Sequence, residues 1–401
     1  MNTSIPRHSV RNLGLAGAVL VFGLTAACTF ASGTEPATSS RFWVNTAGDN
    51  AWSNAENWSA TTGGPGGAGV PTVKDHVVFN GTVTDNCTVD EDVKVASIRL
   101  QQGYKGTVTQ NKPVATTGAF THGHGTWDVN GPLTVGGDYT NSGGHLKVKR
   151  SHKVVCGGSF TRTVDGRITS RELFLEMTGT GNIHVSPHVR TPNGGLTFAR
   201  VVFASGCDVS LLSPLMVNST VHQANSIFRI GRNNQYSTGS ALALPAGAQI
   251  LQTGSGDRMG TYWTKGPGVS QMDGNMEAKL EIFNNRASLA PGIYNCYINP
   301  KVNWSGGIAT LTIQPGNTTI NNSMAPRPHI AGSTTRIVLV DGADLTITGN
   351  IILPNVKGSS ELLLHGTSSI DIAGSIVCED KGRITCSPSS KITFTTEERA
   401  G

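Results

Sequence analysis

Pairs of apolar residues separated by one residue recur along most of the chain, with glycine, asparagine, serine or proline between them. Leu345 and Ile347 are one such pair, and residues two apart on a strand share a face. The next two pairs begin at Ile370 and Ile392, so the interval from one pair to the next stays nearly constant. A period of about 20 to 30 residues with two or three strands per repeat is typical of a solenoid, in which each coil buries its inner face against the next.

The repeat therefore predicts an all-β fold, a right-handed parallel β-helix or β-solenoid. Glycine supplies 50 of the 401 residues, about 12% against a usual figure of about 7%, as many short turns require. Helical periodicity is absent, which excludes βαβ folds. Tandem β-sandwiches remain the alternative, because Asn-Gly and Asp-Gly pairs such as those at 80–81 and 341–342 favour hairpins.

Three of the six tryptophans lie close together near the start of this pattern, at Trp43, Trp52 and Trp58. The first coil of a solenoid has no preceding coil over its core, so it needs a plug with a large apolar area. We expect residues 41–80 to form a Trp-rich N-terminal cap. A glycine-rich turn then leads into the first full strand, where Val77 and Phe79 share one face.

The same passage carries a resemblance. "FWVNTAGDNAWSNAENWS", the glycine-rich turn, Pro71, Asp75 and the strand that follows are similar to the start of β-solenoid modules in large bacterial surface and adhesin-like proteins. The resemblance covers residues 42–110. It implies an exported protein and brings no catalytic residues with it.

The segment 1–27 reads as a signal peptide. Arg7 and Arg11 give the segment a basic start. The stretch 13–27 is uncharged and apolar, but it is shorter than a membrane-spanning helix, which needs about 20 residues. "LTAAC" resembles the lipobox of bacterial lipoproteins, which makes Cys28 a candidate for lipidation and an outer-membrane lipid anchor; cleavage at a nearby small residue is the alternative. We expect an extracellular or cell-surface protein with no transmembrane segment after the leader.

The composition predicts the following organisation. A stretch with Trp263 and three of the seven methionines interrupts the regular spacing of the apolar pairs. This interruption favours a loop or hairpin that leaves the solenoid there. The predicted segments are 1–27 signal peptide, 28–40 linker, 41–80 cap, 81–253 solenoid, 254–299 excursion and 300–401 solenoid continuation.

Six cysteines remain after Cys28, an even number that permits disulfides in an exported chain. The segment "VCEDKGRITC" reads as strand, turn and strand, so Cys378 and Cys386 are the best candidate pair. Free thiols that pack as small apolar groups are the alternative.

Two short segments are candidate metal sites. His122 and His124 are two apart, so on one strand they would point the same way and could share a metal with Asp128 or with a residue of another coil. Asp90 and Asp92 would similarly offer oxygen ligands to calcium. Ordinary solvated side chains are the alternative for both segments, and we expect no cofactor unless calcium binds there.

Catalytic signatures are weak. The "GHG" of 123–125 resembles a motif of pectin-degrading β-helix hydrolases, but the companion Asn-Thr-Asp, Asp-Asp and Arg-Ile-Lys patterns do not occur. A formal charge of +5 without a concentrated basic face argues against nucleic-acid binding. The sequence does not decide whether the protein is an enzyme, and it favours a protein without enzymatic activity.

The favoured function is an exported, cell-surface structural or adhesive β-solenoid that meets an extracellular polysaccharide or a surface protein. The alternatives are a carbohydrate-active β-helix enzyme, namely a polysaccharide lyase, and a self-assembling extracellular filament subunit; we expect a monomer in dilute solution. An enzyme would gather acids and a base in one groove, whereas a structural rod would carry dispersed polar ladders.

Overall fold

The computed structural model describes residues 39–149, 152–186, 197–254, 259–264, 268–283, 286–302, 307–328, 331–354 and 358–395. These residues belong to one compact unit. Strands account for 54% of the chain and helical residues for 2%. The helical segments in the described ranges are two 3-10 turns, Ala55–Asn57 and Ser170–Glu172.

The strands are short, as the apolar pairs predict. In the first part of the chain they are β1 (Ser39–Trp43), β2 (Trp58–Ser59), β3 (Asp75–Phe79), β4 (Cys87–Val89), β5 (Val93–Val95), β6 (Ser97–Leu100), β7 (Thr107–Gln110), β8 (Val114–Thr116), β9 (Phe120–His122), β10 (Thr126–Val129), β11 (Leu133–Val135), β12 (Tyr139–Asn141), β13 (His145–Val148), β14 (Lys153–Cys156), β15 (Phe160–Arg162), β16 (Arg167–Ile168), β17 (Phe174–Met177) and β18 (Thr180–Val185). The middle part holds β19 (Thr197–Phe203), β20 (Asp208–Leu211), β21 (Leu215–His222), β22 (Ile227–Gly231), β23 (Gln235–Thr238), β24 (Ala243–Leu244), β25 (Gln249–Thr253), β26 (Thr261–Thr264), β27 (Gly268–Met272), β28 (Asn275–Met276), β29 (Lys279–Phe283), β30 (Arg286–Leu289), β31 (Gly292–Tyr294) and β32 (Ile298–Val302). The last part holds β33 (Ile308–Ile313), β34 (Gly316–Ile320), β35 (Arg327–Pro328), β36 (Thr334–Leu339), β37 (Ala343–Ile347), β38 (Ile351–Leu353), β39 (Ser359–Leu364), β40 (Ser369–Ile372), β41 (Ile376–Cys378), β42 (Gly382–Cys386) and β43 (Lys391–Phe394).

Parallel pairing stacks these strands into long sheets, which confirms the β-solenoid with about 13 turns. One twelve-stranded sheet has the order β2-β1-β3-β6-β9-β12-β15-β18-β20-β22-β25-β28. A second twelve-stranded sheet runs from β5 to β35, and a five-stranded sheet from β4 to β16 forms a third face of the early coils. In the later coils a seven-stranded sheet (β24 to β42) and a five-stranded sheet (β31 to β43) complete the circuit.

The apolar pairs mark the core as predicted. Leu345 pairs with Ile370, and Ile370 pairs with Ile392 on the next coil. Ile347 and Ile372 form the matching inner row, and both are fully buried. Each interval between these apolar pairs in the sequence is therefore a single turn of the solenoid.

The predicted cap is confirmed as a buried aromatic cluster near the N-terminus. The rings of Trp43 and Trp58 meet edge to face with centroids 5.1 Å apart, and those of Trp52 and Trp58 do so at 4.6 Å. All three indoles pack on Phe79 of the first full coil. Strand β2 closes the end of the sheet by pairing antiparallel with β1, the one antiparallel ladder among the described strands.

The start of the chain needs one adjustment. Strand β1 begins at Ser39, so the last two residues of the predicted linker, 28–40, already belong to the first sheet. The predicted signal peptide (1–27) and the lipidation candidate Cys28 lie outside the described residues.

The predicted excursion at 254–299 is wrong. The described residues there form strands that continue the stack, and Tyr262 pairs with Tyr236 of the preceding coil. Leu280 then pairs with Ile298 of the following coil. Inward residues still alternate along these strands, so the core pattern continues through this segment.

Polar side chains form ladders along the corners. Asn321 donates to Asn295 at 2.6 Å, and Asn295 donates to Asn275 at 2.9 Å. On another face, Arg229 makes a two-pronged contact with Asp208, at 2.6 and 2.7 Å. Such contacts satisfy outward polar groups between neighbouring coils.

The predicted Cys378–Cys386 disulfide is also wrong, since both thiols are free and exposed. The Sγ of Cys378 packs against Gly382, which opens β42. Cys386 closes the same strand, about 13 Å further along an extended chain. A disulfide requires the two sulfurs to lie about 2 Å apart, so the strand between them prevents it.

Candidate functional site

A cleft lies on the outer face of the second twelve-stranded sheet, where β23, β26, β29 and β32 are neighbours. Alternation places Tyr262 of β26 and Leu280 of β29 in the core, so Trp263 and Glu281 point outward. Trp263 and Glu281 are directly paired in register. The same rule turns Asn299 of β32 outward beside Glu281.

The cleft has a volume of about 480 Å³, within the range of small-ligand sites. Its lining combines two aromatic rings, two ammonium groups, one carboxylate and several short polar side chains. The residues used below are Thr261, Trp263, Lys279, Glu281, Tyr297 and Lys301.

Glu281 forms the floor of the cleft and is 4% exposed. Lys279 Nζ donates to its Oε1 at 2.5 Å, and Lys301 Nζ donates to its Oε2 at 3.3 Å. The amide of Asn299 lies 3.3 Å from Oε1. A buried carboxylate with a cation on each side satisfies the rule that buried charges are paired.

Each lysine also lies over an aromatic ring. Lys279 Nζ is 5.4 Å from the centroid of the Tyr297 ring, and Lys301 Nζ is 5.6 Å from that of the Trp263 ring. Both distances fall within the range of cation–π attraction. The two contacts hold the ammonium groups in place above the floor.

The charge state of Glu281 follows from these neighbours. Burial by itself raises the pKa of the carboxyl, but the bond from Lys279 and the charges of Lys279 and Lys301 outweigh it and hold the pKa below its usual value. Glu281 is therefore an anion at neutral pH. A carboxylate that stays ionised at neutral pH has no proton to donate, so Glu281 is a poor general acid. Both of its oxygens already accept hydrogen bonds from lysine ammonium groups.

The arrangement suits recognition of a sugar. Half-buried Trp263 and Tyr297 supply flat apolar surface, and the lysines and Thr261 supply hydrogen-bonding groups beside it. Ligand sites of this kind combine apolar contact with a few polar groups that fix orientation.

The structure separates the two histidines proposed for a metal. His122 ends β9 and is fully buried, with Nδ1 3.2 Å from the hydroxyl of Tyr139, whereas His124 is exposed in the bend that follows. Burial lowers the pKa of His122 to about 3, so the ring is neutral. Asp128 lies on the next strand, β10, on a different sheet.

Asp90 has a structural partner. Its Oδ1 accepts from the backbone N–H of Ser53 at 3.0 Å, and its Oδ2 accepts from the Ser53 hydroxyl at 2.6 Å. These bonds connect the cap to the following coil. Asp92 is exposed on the same turn. Within the described ranges, no group of three or more His, Cys, Asp or Glu residues is placed to hold a metal ion.

Sequence reasoning noticed Trp263 but missed the charged residues beside it. Lys279 and Glu281 are two apart in "KLEIF", a pattern in which charged and apolar residues alternate on a strand. That alternation marks an outward charged pair. It does not reveal that Lys301 of the next coil completes the group.

No known protein family matches the chain, and neither curated proteins nor solved structures give a significant match. The resemblance of residues 42–110 to adhesin-like modules thus stays a prediction. No helix in the part of the chain that the structure describes is long and apolar enough to cross a membrane.

Proposed function

We propose that the protein is an exported, non-catalytic adhesive β-solenoid that binds an extracellular polysaccharide in the cleft around Trp263. The observation that carries the proposal is the combination of Trp263, Tyr297 and two anchored lysines on an outer sheet face. The basic and apolar leader at residues 1–27 supports export.

The polar groups of the molecule favour adhesion over catalysis. Side-chain ladders such as Asn275–Asn295–Asn321 are spread along the corners. The buried acid of the cleft, Glu281, is held as an anion between two lysines. General acid catalysis requires a carboxyl whose pKa is raised toward the working pH, the opposite of this arrangement.

Binding of the full chain to purified oligosaccharides, followed by isothermal titration calorimetry, tests the proposal. Replacing Trp263 by alanine removes the stacking surface and is expected to weaken binding at least about tenfold. Phe394→Ala is the matched control, because Phe394 is 54% exposed and lies on β43, outside the cleft. Equal affinities for Trp263→Ala and the unmodified chain would contradict the proposal.

The non-catalytic part has its own test. The full chain is incubated with polyuronates, and absorbance of unsaturated products is followed. We expect no product. Turnover that is lost in a Lys279→Met variant would overturn the non-catalytic assignment in favour of the lyase alternative.

A further inference from the structure

We infer that the saccharide bound in this cleft is acidic, with a sugar carboxylate placed between Lys279 and Lys301; this inference rests on the proposed function. A neutral glycan and a non-saccharide polyanion are the competing occupants. The charges, the burial and the geometry of the lysines favour the acidic sugar.

The cleft carries an excess positive charge. Its charged lining residues are Lys279, Lys301 and Glu281, two cations and one anion, which leaves +1. The lysine side chains are 22% and 18% exposed, so their ammonium groups are partly removed from water. Attraction for an anion is stronger at such a site than on an open surface, because the effective dielectric constant is lower.

The two ammonium groups are also pre-arranged. Lys279 is aligned with one end of the Glu281 carboxylate and Lys301 with the other, since each donates to a different oxygen. The ring contacts with Tyr297 and Trp263 restrict both side chains further. A ligand therefore loses less free energy in ordering flexible lysines than it would on an exposed surface.

The aromatic rings favour an acidic sugar over a small anion that has no apolar face. Stacking on Trp263 or Tyr297 needs a ligand with a flat apolar face, and a carboxylate needs a cationic partner beside that face. A uronic acid residue presents both groups in one ring. A neutral sugar offers the ammonium groups only uncharged hydroxyl oxygens as acceptors, whereas a sugar carboxylate also brings a full negative charge beside them. An acidic sugar would instead form charge-assisted hydrogen bonds.

The experiment compares two matched ligands by calorimetry on the full chain: an oligogalacturonide and the same oligosaccharide with its carboxylates methyl-esterified. We expect the free acid to bind at least about tenfold more tightly, and its affinity to fall as salt rises from about 0.05 M to about 0.5 M. Lys279→Met and Lys301→Met should each remove most of that preference.

Lys153→Met is the matched control variant. Lys153 makes a similar contact with Glu176 of the next coil, at 2.6 Å on the same sheet, but lies outside the cleft. The ligand preference of this variant should equal that of the unmodified chain. Near-ultraviolet circular dichroism checks that each variant retains its packed aromatic core.

The outcomes separate the two proposals. Equal binding of acid and ester, abolished by Trp263→Ala, would overturn the inference and leave the saccharide-binding function standing. Binding of poly-L-glutamate as tight as that of the oligogalacturonide would overturn the inference too, because the rings would contribute nothing. Absence of binding to any acidic or neutral oligosaccharide would overturn both.

Discussion

The indole N–H of Trp58 donates a hydrogen bond of 2.7 Å to the backbone carbonyl oxygen of Trp52. Both rings are fully buried, and this bond satisfies the polar group that burial of the Trp58 ring would otherwise leave without a partner. The backbone N–H of Trp52 in turn donates to the carbonyl of Thr88 at 2.9 Å. The two tryptophans thereby connect the cap with the coil beneath it.

Trp58→Ala is expected to destabilise the protein by about 3 to 5 kcal/mol, because it leaves a cavity in the aromatic cluster. Trp58→Phe retains most of the volume, loses the bond to Trp52 and should cost less. Denaturant unfolding followed by circular dichroism measures both. Ile293→Ala is the control, since Ile293 is 57% exposed, and it should change stability by less than about 0.5 kcal/mol. Equal stabilities for Trp58→Ala and Ile293→Ala would contradict the role of the cap.

Asp90→Ala should destabilise the protein by about 0.5 to 1.5 kcal/mol, because both bonds to Ser53 are lost. Asp92→Ala, on the same turn, should have little effect. Calcium or EDTA should leave the unfolding midpoint of the unmodified chain unchanged, as both Asp90 oxygens are engaged within the protein. A calcium-dependent rise in midpoint that disappears in Asp90→Ala would restore the calcium-site hypothesis.

Two buried histidines predict how stability depends on pH. Burial lowers the pKa of His122 and of His222 to about 3, against about 6.5 in an unfolded chain. Below pH of about 6.5 the unfolded chain binds protons that the folded protein does not bind, so stability falls as pH falls. Each histidine contributes about 1.4 kcal/mol per pH unit down to its folded pKa.

The window between pH of about 6.5 and about 4.5 lies above the range in which the carboxyls with lowered pKa, such as Asp208, lose their contribution. His145, whose pKa is lowered by burial and by the charges of Arg167 and Lys147, also contributes there.

His222→Phe keeps the stack on Phe203 and should reduce the slope of unfolding free energy against pH by up to about 1.4 kcal/mol per pH unit. Ile293→Ala, an exposed substitution without a titratable group, should leave the slope unchanged. An unaltered slope in His222→Phe would show that His222 is charged in the fold.

The cysteines should divide into two classes. Cys378 and Cys386 are exposed and should react with iodoacetamide in the native protein without a reductant. Four thiols are buried and should react only after unfolding: Cys87, Cys156, Cys207 and Cys296. Burial raises the pKa of Cys296 to about 12, which further suppresses its thiolate. Peptide mapping measures the labelling; protection of Cys378 and Cys386 until a reductant is added would show a disulfide.

The stacking of the coils could be predicted from the sequence, because the alternation of apolar and polar residues marks the inward face of each strand. Leu345, Ile370 and Ile392 indicate three successive coils by their spacing alone, and the structure places them in one row. The cap was predictable for a related reason: an end coil must cover its core, and Trp52 and Trp58 are large enough to do so.

The histidine pair shows where alternation fails. The rule that residues two apart share a face holds only while a strand continues, and β9 ends at His122. Gly123 and Gly125 turn the chain at that corner, Gly125 with a φ of +69°. His124 therefore points to solvent while His122 enters the core.

The cleft could not be predicted from the sequence, because its residues come from different coils. Glu281 and Lys301 meet because they lie on paired strands of successive coils. Coil length varies along the chain, so a count of residues cannot establish which outward side chains become neighbours. The same variation made the segment 254–299 read as an interruption of the solenoid.

The turn of the solenoid from Phe120 to Tyr139, its partner on the next coil, contains fewer residues than the turn from Phe160 to its partner Ile183. The longer of the two accommodates the 3-10 turn Ser170–Glu172, yet its strands keep their alignment. The number of residues in a coil can therefore change at a corner while the strands on either side keep their register.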